Sequence, residues 1–178
     1  MINPNDLVLV RNTRDWDLSF PSVSATAMQR GGGVVLPAGK DTRIAYMDVE
    51  MQVQTPGSFF YGDDGFGTHA PVLVVDPEVR AQVYGAPADE ANQEQLTVAA
   101  VRELLEISPV SAFESAMKKR VTTDGDKRML VRLAVAAGLN DVQGGAGKKR
   151  AIEKYTGLNI VEGDEAVETI TTVKPTDA

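Results

Sequence analysis

The sequence predicts an α+β fold, a small antiparallel β unit followed by a compact helical unit. Short runs of strand formers fill the first 75 residues, between glycine- and proline-rich turns. From Thr97 onward, apolar residues recur at helical spacing instead. Strands come first and helices later, which argues against a parallel, doubly wound sheet.

"LVLVRN" (Leu7 to Asn12) and "WDLSF" (Trp16 to Phe20) read as short strands joined through "TRDW", with Trp16 expected in the core. "GGGVVLPAGK" gives a brief apolar run closed by a turn signal. "TRIAYMDVEMQVQ" alternates: Ala45, Met47, Val49, Met51 and Val53 fall on one face, and Ile44, Tyr46, Asp48, Glu50 and Gln52 on the other. That period predicts a strand with one covered side. Val72 to Val75 form a short buried strand. In "DPEVRAQVYG", Asp76 caps a short helix, Pro77 occupies its first position and Gly85 ends it.

"TVAAVRELLEI" predicts a helix capped by Thr97, with Val98, Val101, Leu104 and Leu105 on one side and Pro109 as its stop. "SAFE", Ser111 to Glu114, has the spacing of a capping box for a helix through Val121. "DGDKRMLVRLAVAAGL" predicts another, with Met129, Leu130, Leu133 and Ala137 inward and Gly138 as C-cap. A last helix runs from about Lys148 to Thr156 and ends at Gly157. The expected division is therefore a β-rich unit over 1–85, a polar linker at 86–96, a helical unit over 97–161, and an acidic, Thr-rich tail at 162–178, loose or extended.

With 178 residues and 43% apolar composition, the chain has enough material for one good-sized domain or two small ones. It has no cysteine, which excludes disulfides and thiolate metal sites and suits a reducing compartment. No basic-then-apolar leader opens "MINPNDLVLVRN", and no stretch is long enough to span a bilayer. The expectation is a protein made in the cytoplasm, with no membrane partner. The net charge of −7 is unevenly spread. Between Lys118 and Lys154, ten basic residues against four acidic ones give this segment +6 and leave −13 for the rest. Such asymmetry suits an anionic partner, or an assembly in which copies attract one another's ends.

Two stretches invite a chemical reading. "GGAGKKR" resembles a phosphate loop, but Val142 stands where its first glycine belongs and Lys149 where a Ser or Thr would hold magnesium. What remains is a helix N-terminus with Lys148, Lys149 and Arg150 as anion or nucleic-acid candidates, or a plain helix connector. "GDDGFGTHA" offers Asp63, Asp64 and His69, but their spacing fits no calcium loop, and a single histidine cannot build a multi-histidine metal site. A loop tip with left-handed glycines accounts for it. The aromatics there, Phe59, Phe60, Tyr61 and Phe66, read either as anchors for a protein partner or as rings folded back on the sheet.

"RMLVRLAVAAGLNDV…KKRAIEKYTG" resembles the helix-extended-helix modules of some DNA-associated proteins. The layout "LVLVRNTRDWDLSF", then "VVLPAGKDTRIAY", then a helical half ending "KKRAIEKYTGLNI", looks like the small accessory structural proteins of tailed bacteriophages. That resemblance implies a capsid-associated, neck or tail component located in the virion, and it brings no site residues with it. The expected function is a non-enzymatic assembly subunit whose partners are other protein subunits, with no catalytic residue, no metal and no cofactor. A nucleic-acid accessory protein using the basic helices over 118–154 is the alternative. A hydrolase built on acidic residues alone is the third class, disfavoured because no nucleophile, base and orienting group assemble.

Overall fold

β1 (Leu7–Asn12) alternates strictly, sending Val8 and Val10 into the core and Leu9 and Arg11 to the opposite face. In the computed structural model, which describes residues 2–24, 32–86, 94–139 and 144–160, it is the centre of a three-stranded antiparallel sheet. β4 (Asp41–Ala45) pairs on one side in the register Val8↔Ile44, and β5 (Val72–Val74) on the other in the register Val10↔Val74. β2 (Leu18–Pro21) and β3 (Gly33–Leu36) form a separate two-stranded ribbon with Phe20 opposite Val34. The fold class is α+β.

The alternating stretch after Ile44 corrects the sequence reading. Only Asp41–Ala45 is strand; Tyr46–Gln54 is a helix, α1. Met47, Val49, Met51 and Val53 satisfy a period of two, but Tyr46, Val49 and Val53 follow a helical period, and these three are buried on one helical face. Of the other positions, all but Asp48 are Met, Glu or Gln, which favour the helix, and Asp48 lies in the first turn, where an acid is favourable. α2 (Pro77–Tyr84) forms as expected: the Asp76 carboxylate accepts from the amides of Glu78 and Val79 at 2.9 and 3.1 Å, and Gly85 closes it with a φ of 64°. Arg80 on α2 is buried and donates to the carbonyls of Val74 and Val75 at the end of β5. Burial pulls its pKa below the ordinary guanidinium value.

The chain folds as two compact units, Met1–Val98 and Ala99–Ala178. Most of the expected linker, residues 87–93, and the tail from 161 onward lie outside the described residues. The second unit consists of α3 (Val98–Glu106), α4 (Val110–Arg120), α5 (Asp124–Ala136) and α6 (Gly145–Thr156). Its core gathers Leu104, Phe113, Met117, Met129, Leu130 and Ile152, all fully buried. Two capping details differ from the sequence reading. Ser111 lies inside α4, whose N-cap is Pro109, so the "SAFE" box does not form. A capping box closes α5 instead: Thr123 Oγ1 accepts from the Asp126 amide at 3.0 Å and the Asp126 carboxylate reaches back to the Thr123 amide. Ala134, not Ala137, completes the inward face of α5. Ala137 is its exposed C-cap, followed by Gly138 at a φ of 58°.

Candidate functional site

The aromatic loop between α1 and β5 is held by its own backbone. The amide of Asp63 donates to Thr68 O, that of Gly67 to Tyr61 O, and that of Val72 to Phe59 O. Gly62 is required where the loop closes: its φ is 70°, and a Cβ there would lie 2.5 Å from the Thr68 carbonyl oxygen. His69, also left-handed at 58°, is buried, with its amide on the Glu94 carbonyl and its own carbonyl accepting from Arg14 Nη2 at 3.0 Å. Arg14 is itself buried, so the loop is fastened to the strand side of the unit by an interior guanidinium.

Phe60 is not an available partner anchor. It is completely buried, packs edge-on against Phe20 with centroids 5.8 Å apart, and its carbonyl accepts from Tyr84 Oη at 2.6 Å. An apolar ring in a short loop over an apolar sheet gains more by folding inward than by facing water. Phe59 and Trp16 pack partly buried against the same core, Tyr61 is partly buried, and Phe66 is half exposed.

The acidic pair takes a structural part. Asp64 Oδ1 accepts from the amides of Phe66 and Thr68 at 2.8 and 3.1 Å. Partial burial opposes its charged form, yet these bonds and one from the Thr68 side chain prevail and hold the carboxyl below its usual range. Asp63 is exposed. Among the described residues, no three of the His, Asp and Glu side chains come close enough to hold a metal.

In the second unit, Lys148 is corrected in the same way. It is buried, its Nζ donates to the Leu105 carbonyl at 2.6 Å, and it lies 5.8 Å from the centroid of Phe113. The ammonium satisfies the last turn of α3 from the inside and is not presented to an anion. Lys149 is half-buried and Arg150 exposed. α6 starts at Gly145, three residues earlier than expected, after the left-handed Gly144. Gly147 lets α6 approach α4: a Cβ there would meet Val110 Cγ2 at 2.9 Å. The glycines of "GGAGKKR" thus serve helix entry and close packing.

Sequence reasoning missed a further place. Asp48, read as one residue of a strand's polar face, lies in the first turn of α1 and is buried. Its carboxylate accepts from Ser22 Oγ and from the amides of Val23 and Ser24, pinning the chain beyond β2 to the helix. Beside it is a cleft of about 310 Å³ lined by Leu7, Ser24, Gly33, Val34, Arg43 and Ile44, among others. An acid isolated in an apolar run was the only sequence signal for it.

On the outward face of the three-stranded sheet, Leu7 is 61% exposed, and Leu9 and Leu73 are half-buried. Among the described residues, no helix is long and apolar enough to cross a membrane. No family model, curated protein or solved structure matches the chain.

Proposed function

We propose that this protein is a structural subunit of a larger assembly, acting through contacts with other protein subunits, and that the assembly is a tailed-bacteriophage virion. The observation that carries the assembly part is the outward sheet face. A sheet covered on one side ordinarily turns polar residues to the other, whereas here Leu7, Leu9 and Leu73 share that face with Arg11, Asp41 and Arg43, and Leu7 is largely exposed. Apolar surface of this kind is stabilised when a neighbour covers it. The virion part rests on the resemblance in layout alone. The nucleic-acid alternative loses its central cation with the burial of Lys148.

The test is the mass of the native complex. Protein purified from its natural source is expected in a particle or oligomer well above 19.1 kDa. Leu7→Ser should leave the circular dichroism spectrum unchanged while lowering that mass. A monomer from the native source removes the reading.

A further inference from the structure

β3 and β4 are consecutive and joined by the Pro37–Lys40 turn, yet they do not pair; each belongs to a different sheet. The 310 Å³ cleft lies where they diverge, with Gly33 and Val34 on one side and Thr42 to Ala45 on the other.

The registers show which way the backbone groups point. In an antiparallel ladder, residues alternate between pairs that exchange hydrogen bonds and pairs that do not. The Ser22 amide donates to Gly32 O at 2.9 Å, so Phe20–Val34 is an exchanging pair. Gly33 and Val35 therefore turn their N–H and C=O away from β2. The Tyr46 amide donates to Asp6 O, and the Asn12 amide to Lys40 O, so Val8–Ile44 and Val10–Thr42 exchange bonds. Arg43 thus turns its backbone groups away from β1. Among the described residues, neither Gly33 nor Arg43, which both line the cleft, has another backbone partner on that side. Two open edges flank one cleft, the arrangement that recruits an extra strand.

Resting on the assembly reading, we propose that this cleft takes the C-terminal segment 167–173, "VETITTV", of a second copy of the chain. Six of its seven residues are β-branched, the composition that best fits a pleated strand, and Pro175 stops it soon after. Eighteen residues follow Ile160. Residues 161–166 alone reach about 20 Å when extended, enough to leave one subunit for another. Charge agrees: residues 161–178 hold five acidic side chains and one lysine, while Arg43 in the cleft lining is exposed. The added strand pairs with β3 on one side and with β4 on the other. It joins ribbon and sheet into six strands.

Hydrogen exchange at the Gly33 and Arg43 amides of the full chain tests this, read with native mass across a dilution series. In the wild-type assembly both amides should exchange at least tenfold more slowly than in the diluted monomer. Ile170→Pro, which removes a donor from the incoming strand, should lower the mass and abolish the slowing. Ile170→Asp, which keeps the amide, provides the same comparison without the backbone change. Unchanged mass and protection in both variants overturn the strand exchange but leave the assembly reading intact. A lower mass with protection retained also overturns it. Slow exchange that persists in the monomer assigns the cleft to a segment of the same chain and overturns it too. So does a wild-type chain that is monomeric throughout, and assembly with other proteins is then judged on the native complex alone.

Discussion

Phe60 and Phe66 lie six positions apart in one loop and have opposite surroundings. Phe60→Ser removes a fully buried ring and is expected to destabilise the first unit by about 3–5 kcal/mol. Phe66→Ser, at a half-exposed position, should change stability by no more than about 0.5 kcal/mol. Urea denaturation of the two variants checks the contrast. Asp64 supports a pH prediction. Its folded pKa is depressed, so its contribution is present above the ordinary carboxylate range and is lost as pH falls through the lowered value. Asp64→Asn should therefore flatten the acid limb of the melting temperature against pH, with little change near neutrality. None of this was legible residue by residue. The composition of "GSFFYGDDGFG" indicates a turn-rich aromatic loop, but which ring turns inward depends on Phe20 and Tyr84, 40 and 24 positions away in sequence.

At the scale of elements, local chemistry was legible wherever it alone decided the outcome. Asp76, Pro77 and Gly85 delimit α2 as their types require. α1 was misread because Met47, Val49, Met51 and Val53 alternate like a strand while Tyr46, Val49 and Val53 have helical spacing, and only the packing of the latter three on one helical face separates the two. "SAFE" was misread because a capping box needs its serine at the boundary, and α4 begins one residue earlier. The box that does form gives a direct test. Thr123→Ala should cost about 1 kcal/mol through loss of the cap on α5, measured by thermal melting. Gly62→Ala should cost more than the ordinary glycine-to-alanine exchange, since it combines a left-handed backbone with a collision against the Thr68 carbonyl. Faster amide exchange across residues 58–70 is the expected signature.

For the whole molecule, the charge asymmetry that first suggested an anionic partner has a partly internal explanation. Of the ten cations between Lys118 and Lys154, Lys148 is buried against Leu105 and Phe113, and Lys127 pairs with Asp124 at 3.0 Å. Lys118 to Arg120 occupy the last turn of α4, where cations complement the helix dipole. The expected result in a low-salt mobility-shift assay with duplex DNA is therefore no shift for wild type, and none for Lys149→Glu with Arg150→Glu. A salt-sensitive shift abolished by that double variant would restore the nucleic-acid reading. The candidate cleft illustrates the limit of sequence reasoning at this scale. Gly33 and Arg43 are ordinary residues by type, and only the two registers reveal that their backbone groups turn away from the strands they pair with.

Asn12 ends β1 with its side-chain amide donating to the carbonyl oxygens of Trp16, Leu36 and Pro37 at 2.8, 2.9 and 3.3 Å. Every oxygen in that grip expects a hydrogen. Deamidation, the slow hydrolysis that turns asparagine into aspartate, would put an anion among three acceptors in a buried site. At this position the change would be felt at the joint between ribbon and sheet, as a loosening that begins with a single lost amide.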